Sequence, residues 1–324
     1  MEKYCPVKTL HRSMYPAIDP TNPANSAAGK TVAISGGGGG IGYAIARGFC
    51  KAGASTVILL GRRQAVLDEA SAKLHADHGT TIWTYSLDVR DASTTNTTFA
   101  SIRERLRSAS NDSTADVDVL VANAAVLDQG EVSLEFDPAV IQNAFATNVF
   151  GVANLARAFL APELPAIPNP GWKPGVDPVG TKKDTTARAA APARAKVLIE
   201  VSSAATHMIF PGLALYSATK LAATHFVRHL QAELDRMPGQ PVRVHSFHPG
   251  ALYTPGVEAL GIKEEVLQGD DISLPEGFAV WLASPAAAFL KGRLPWAAWD
   301  VEELLKLKAK FEEDPDFCTV SMKL

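Results

Sequence analysis

The chain has 324 residues, 47% of them hydrophobic and 20% charged, enough to bury a sizeable core. A formal net charge of -3 with interspersed signs lacks the basic field that nucleic acid or an anionic membrane surface would favour, so small molecules are the expected partners. Cys5, Cys50 and Cys318 lie far apart without CxxC or metal-ligand spacing, which points to free thiols in a reducing compartment and to neither disulfides nor zinc.

Residues 1–28 contain four prolines and no continuous apolar run. They read as an N-terminal surface arm rather than a signal peptide or membrane span, and the expected location is cytoplasmic. "KTVAIS" is the first strand and leads into five glycines; "IGYAIARGFCKAG" then shows helical spacing and stops at Gly53. "STVILLG" is the next strand, "RRQAVLDEASAKLHADHG" the next helix and "TIWTYSLDV" the next strand. A helix over about 94–108 precedes "DVDVLVANAA", a buried strand by its unbroken apolar character. Helices near 137–162 and 215–237 flank "AKVLIEVSS", and "VRVHSFHPG" follows. Such alternation predicts an α/β fold: a single-domain, Rossmann-like, doubly wound parallel sheet with helices on both faces, over residues 29–324. Two segments stand outside it. The Pro/Gly/Ala-rich stretch at about 163–195 has no sustained period and reads as a surface insertion or a partner-binding loop. From about 300 a C-terminal extension carries the amphipathic "VEELLKLKAKFEE", expected as a packed surface helix.

A bare strand-to-helix turn lets the backbone approach a pyrophosphate, with the helix N-terminus offering unpaired N–H groups. Two registers fit the run: Gly37, Gly39 and Gly42 as GxGxxG, or Gly36, Gly40 and Gly42 as GxxxGxG. At the end of the second strand, where an acid would hold the ribose hydroxyls of NAD(H), the sequence has Gly61 followed by Arg62 and Arg63. Guanidinium forks suit a 2'-phosphate, so NADP(H) is preferred and NAD(H) stays possible; either arginine could make the contact.

The chemistry lies in "EVSSAATHMIFPGLALYSATK". Ser203 is followed by Tyr216 and, four residues on, by Lys220. Residues i and i+4 share a helix face, so an ammonium sits beside a phenol and favours its ionised form. The result is a proton donor and acceptor for neutral pH, with Ser203 placed to orient a substrate oxygen.

These segments together resemble the short-chain dehydrogenase/reductase superfamily, in the branch with a TGxxxGIG turn and an Asn-Ser-Tyr-Lys active site. The matching pieces are "SGGGGGIG" at 35–42, "LDV" at 87–89, "LVANAA" at 120–125, "TNVFG" at 147–151, "VSS" at 201–203, "YSATK" at 216–220 and "HPGALYT" at 248–254. The resemblance selects the register Gly36, Gly40, Gly42, with Ile41 between the last two and Ser35 in place of threonine. It implies Asn148, Ser203, Tyr216 and Lys220 as catalytic residues, with Asn148 holding a water in a relay to Lys220. It implies Asp88 and Val89 beside the adenine, and Asn123 and Ala124 along the cofactor. Tyr216 and Lys220 would also contact the nicotinamide side, flanked by Pro249, Gly250 and Thr254. Ala122 and Ala125 depart from the usual NNAG. The region "FAVWLASPAAAFLKGRLPWAAWD" is similar to that of fungal reductases associated with secondary metabolism. A homodimer or homotetramer, paired through the helices of Asn148 and Tyr216, is implied as well.

The expected function is NADP(H)-dependent transfer of hydride between nicotinamide and the carbonyl of a small apolar ketone, or the corresponding secondary alcohol. Met208, Ile209, Phe210 and Tyr253 are candidates to line the substrate pocket. Alternatives are a dinucleotide-binding sensor or scaffold without turnover, and an isomerase or dehydratase built on the same tetrad. His207, His245 and His248 lack acidic or cysteine company and read as packed side chains rather than metal ligands. No GxSxG elbow and no GxxxxGK[ST] loop is present.

Overall fold

Thr31–Ser35 (β1) is buried at all five positions, as a strand must be when helices cover both faces of its sheet. The computed structural model of the protein describes residues 5–128, 133–160, 194–237, 239–258, 261, 263–267 and 269–321. β1 passes into α1 (Gly40–Lys51), followed by β2 (Thr56–Gly61), α2 (Gln64–His78), β3 (Thr81–Ser86), α3 (Ala92–Ser110) and β4 (Val119–Ala122). The second half holds α4 (Pro138–Phe145), α5 (Gly151–Leu160), β5 (Lys196–Val201), α6 (Ala214–Leu234) and β6 (Val242–Phe247). Short helices α7 (Pro255–Glu258) and α8 (Glu264–Leu267) lead to α9 (Ser273–Ala283), α10 (Val301–Lys306) and α11 (Lys308–Glu313). All pairings in the six-stranded sheet are parallel, in the order β3-β2-β1-β4-β5-β6. This is the doubly wound Rossmann order, whose strand direction of travel reverses between β1 and β4 and leaves a crevice at their carboxyl ends.

Two apolar layers sandwich the sheet. Ile34, Phe49, Ile199, Phe278 and Trp281 belong to the layer under α1 and α9; Phe99, Leu120, Leu155, Phe159 and Val227 belong to the layer under α3, α5 and α6. The helix expected over 137–162 is interrupted: Ala146–Phe150 forms a π-type turn between α4 and α5 that buries Asn148. The C-terminal helix is likewise split at Leu307, with Val301, Leu304 and Phe311 turned inward.

Residues 5–30 differ from the expected surface arm, because they are built into the domain. Ile18 is fully buried, and a side chain on Gly277 of α9 would strike its carbonyl. Tyr15 Oη donates to Trp299 O and accepts from Val301 N, and Leu10 bridges Trp299. Proline-rich polar composition concealed this, since the apolar contacts come from a region nearly three hundred residues away. Apart from residues 194 and 195, the Pro/Gly/Ala-rich stretch lies outside the described residues.

At the amino end of the sheet sits a buried ionic cluster. Arg103 Nε reaches Asp116 at 3.0 Å, Lys196 Nζ reaches it at 2.6 Å, and both cations also donate to main-chain oxygens of α5. Replacing Asp116 by Ala would leave two buried cations without their carboxylate, so we expect a loss of about 3–5 kcal/mol, read as a lower urea midpoint. His245 on β6 is fully buried, and desolvation pushes its imidazole down to about 3 from an ordinary 6.5. The folded state therefore keeps His245 neutral while the unfolded chain takes up a proton as pH falls through 6.5. Its contribution to stability is whole above that pH and declines below it by about 1.4 kcal/mol per pH unit. Relative to the parent, a His245→Asn variant should show a flatter fall in melting temperature between the two values.

Candidate active site

Gly36 and Gly40 have φ of +68° and +52°, the left-handed region in which a side chain is strained. A Cβ on Gly42 would overlap the carbonyl oxygen of Gly36, and one on Gly36 would lie 2.8 Å from Asn123 Nδ2. The turn is thus folded onto itself and onto the end of β4. Around Gly39 a Cβ would meet nothing within 4 Å, and one on Gly37 would lie 3.1 Å from Ile34 O; of the two glycine registers, positive φ marks Gly36 and Gly40 and falls on neither Gly37 nor Gly39. Ser35 Oγ accepts the N–H groups of Asn123 and Ala124 at 3.0 Å each, and Asn123 Nδ2 donates to Ser35 O at 3.0 Å. These bonds hold the β1–β4 crevice at a fixed width. α1 starts without a side-chain cap, so the unpaired N–H groups of its first turn face the cleft beside Gly39, Gly40 and Ile41. A glycine turn without side chains opening on a 12-residue helix fits a dinucleotide's diphosphate.

A single cleft of about 1210 Å³ runs from there across the carboxyl ends of the strands. Gly61, Arg62 and Arg63 line one end; both arginines are exposed, and neither guanidinium has a hydrogen-bond partner among the described residues. Asp88 and Val89 line it beside them. Arg90 grips Asp88 through Nε at 2.9 Å and, with a smaller contribution from Arg62, holds its carboxyl below the usual range. Asn154 Nδ2 donates to Val89 O at 2.9 Å, and Gly151 leaves no room for a side chain against Val89, so α5 fixes this wall. Ala122 is buried in β4, and Ala125 lines the cleft without positive φ, so the two departures from NNAG carry no backbone strain.

Ser203 follows β5 and caps a turn over Ala204–Thr206, its Oγ accepting from Ala205 N at 3.2 Å and keeping its proton for a ligand. Tyr216 lies in the first turn of α6, and both side chains face the cleft. Lys220, one turn further, is 4% exposed; its Nζ lies 5.9 Å from the Tyr216 ring centroid and donates to Val201 O at 2.7 Å. Asn148 is buried behind them: Oδ1 accepts from Val126 N at 2.8 Å, and Nδ2 donates to Val126 O and to Thr219 Oγ1, both at 2.9 Å. Thr219 Oγ1 in turn donates to Tyr216 O, so the π-type turn, the segment after β4 and the start of α6 are tied together. Sequence reasoning found Asn148 but missed Thr219, for which helical spacing from Tyr216 is the only signal.

Pro249, Gly250 and Thr254 line the far end, where Gly250 has φ +110° and Asp270 Oδ2 accepts from Ala251 N at 2.8 Å. Met208 and Phe210 line the cleft as expected, whereas Ile209 is 96% exposed and points away, and Tyr253 is not among the lining residues. The wall contains two features that sequence reading did not foresee. Leu10, His11 and Arg12 of the arm close one side, fixed by His11 Nε2 on Asp300 Oδ2 at 2.8 Å and Arg12 Nε on Asp270 Oδ1 at 3.1 Å. Trp296 closes another, with the His248 ring edge-on at 4.9 Å. Among the described residues no group of three or more His, Cys, Asp or Glu side chains could hold a metal, and no helix is long and apolar enough to cross a membrane.

The family model described as short chain dehydrogenase matches residues 30–164 and 186–265. A short chain dehydrogenase/reductase of Claviceps purpurea (strain 20.1) is 35% identical over 320 residues, covering 98% of this chain and 94% of that protein. The short chain dehydrogenase/reductase nsrO of Aspergillus novofumigatus is 32% identical, with 98% and 96% covered. Among solved structures, a short-chain type dehydrogenase/reductase from Mycobacterium marinum superposes with a TM-score of 0.67 at 20% identity, covering 85% of this chain and 96% of that one. The RhlG/NADP active-site complex of Pseudomonas aeruginosa gives 0.65 at 19%, with 85% and 96% covered. These structures share the fold, and the sequence relatives share nearly the whole length. The chain belongs to the short chain dehydrogenase/reductase family of oxidoreductases, alongside fungal members.

Proposed function

We propose that the protein is an NADP(H)-dependent reductase of ketones, or dehydrogenase of the corresponding secondary alcohols, acting on a small apolar substrate. The observation that carries this reading is the convergence of Ser203 and Tyr216 on one cleft, with Lys220 buried beneath them and the side-chain-free turn further along it. NADP(H) rather than NAD(H) is supported by Gly61 in place of an acid and by two guanidinium groups at that end that have no hydrogen-bond partner among the described residues. The NADP complex of RhlG, which has the same fold, is in keeping with it. Met208, Phe210, Leu213, Trp296 and Leu10 give the opposite end its apolar character.

When bound, the reduced nicotinamide supplies the hydride. As negative charge grows on the substrate oxygen, Ser203 donates a hydrogen bond to it and Tyr216 gives up its phenolic proton. Lys220, beside the ring, compensates the charge that the phenol acquires. Asn148 and Thr219 hold the first turn of α6 against the segment after β4, which keeps the Tyr216 hydroxyl aimed at the reacting oxygen. We assign Asn148 to the relay that returns a proton by way of Lys220. The assembly implied for the family, pairing α4, α5 and α6 of two copies, is supported by exposed Phe150 in the turn between α4 and α5 and exposed Leu221 and Phe226 on α6.

Tyr216→Phe should lower the rate of NADPH-dependent ketone reduction by about a hundredfold to ten-thousandfold while leaving NADPH affinity, measured by fluorescence titration, nearly unchanged. Unaltered turnover would remove Tyr216 from the chemistry. Alanine at both Arg62 and Arg63 should weaken NADPH binding by about tenfold or more and leave NADH binding little affected. Equal or tighter binding of NADH by the parent protein would overturn the 2'-phosphate assignment.

A further inference from the structure

Glu200 is fully buried near the carboxyl end of β5 and has no part in the steps above. Side chains alternate along a strand: Val197, Ile199 and Val201 join the apolar layer under α9, while Leu198 joins the layer under α5 and α6. Glu200 shares the face of Leu198 and so meets α6. Lys220 Nζ stands 3.8 Å from its Oε1, and Thr224 Oγ1, one turn along α6, donates to Oε2 at 3.2 Å. Ser202, just after β5, and Ser246, the register partner of Glu200 on β6, surround the carboxyl with neutral hydroxyls. Its register partner on β4 is Ala122. Among the described residues Lys220 is the charged group facing Glu200; Lys196, four residues earlier on β5, is held by Asp116. Burial pushes the Glu200 carboxyl up and Lys220 draws it back down. A buried ammonium is costly without a counter-charge, and Oε1, which has no hydrogen-bond donor of its own, is placed to be that charge.

We propose that Glu200 is a positioning residue whose carboxylate holds Lys220 charged beside Tyr216, and that it thereby sets the alkaline limit of the reductase. The proposal rests on the reading of Tyr216 as proton donor. Reduction requires the Tyr216–Lys220 pair with both protons in place, and a nearby negative charge makes the first proton harder to lose, whichever group loses it. Removing that charge moves the limit to lower pH.

Glu200→Gln keeps the shape and the acceptor for Thr224 and removes only the charge. With α-tetralone and NADPH as probes, the alkaline limb of kcat/KM should fall by about one pH unit, a tenfold change in proton concentration. A limb at the same pH as in the parent overturns the proposal. A second measurement needs no substrate: the phenolate absorbance of Tyr216, taken as the difference between protein with and without Tyr216→Phe and titrated with alkali. Its midpoint should move when Glu200 becomes Gln, and an unmoved midpoint again overturns the proposal. Absence of any ketone reduction by the parent counts against the reductase reading alone, because the absorbance titration still decides the role of Glu200. If Glu200→Gln does not fold, Glu200→Asp, which draws the charge back by one methylene, should give smaller displacements in both readings, and none at all overturns the proposal.

Discussion

The site depends on the close approach of two backbones, the turn after β1 and the segment after β4. Parallel strands that part company at the middle of a sheet open a crevice at their carboxyl ends, and something must keep it from collapsing or gaping. Here Ser35 and Asn123 do so with side-chain bonds to one another's main chain, while Gly36 and Gly42 remove the atoms that would force the loops apart. The cofactor end of the cleft, the start of α1 and the segment leading to Asn148 all take their positions from this contact. A methyl group at Gly42 would disturb them together.

Polar groups are buried in this fold in two different ways. The cluster of Arg103, Asp116 and Lys196 at the amino end of the sheet is paired on every side and serves architecture. Glu200, Lys220, Thr224 and Ser202 at the carboxyl end form a looser set, with one carboxylate oxygen lacking a hydrogen-bond donor and an ammonium shared between a carbonyl and the carboxylate. Incomplete satisfaction is expected where groups must also answer to a ligand. The same strand, β5, contributes to both clusters, through Lys196 and Glu200 respectively.

What the sequence revealed was what local spacing encodes. The doubly wound parallel sheet follows from apolar runs alternating with helical periods, and Tyr216 and Lys220 announce themselves because one helical turn separates them. The NADP(H) reading rests on two adjacent arginines after a strand, again a local pattern. What stayed hidden depends on partners distant in the chain. Leu10, His11 and Arg12 look like surface-arm residues until Trp299, Asp300 and Asp270 are set against them. Glu200 looks like one polar residue in a strand until Lys220 is seen across from it. The π-type turn at Ala146–Phe150 escaped for another reason: one extra residue in a helical turn barely alters the hydrophobic period, yet it brings Asn148 inward.

The bridge between Leu10 and Trp299 also bears on how the molecule is made. Loop-closure entropy makes such a pairing slow to form, and on a ribosome it must wait until the chain has emerged beyond Trp299. The glycine-turn end of the cleft is lined by residues from Gly36 to Asn123, but the wall over its other end is completed only when the segments of Leu10 and Trp299 meet. A nascent or partly frayed molecule would thus retain a place for its cofactor while standing open to water where the substrate should be enclosed.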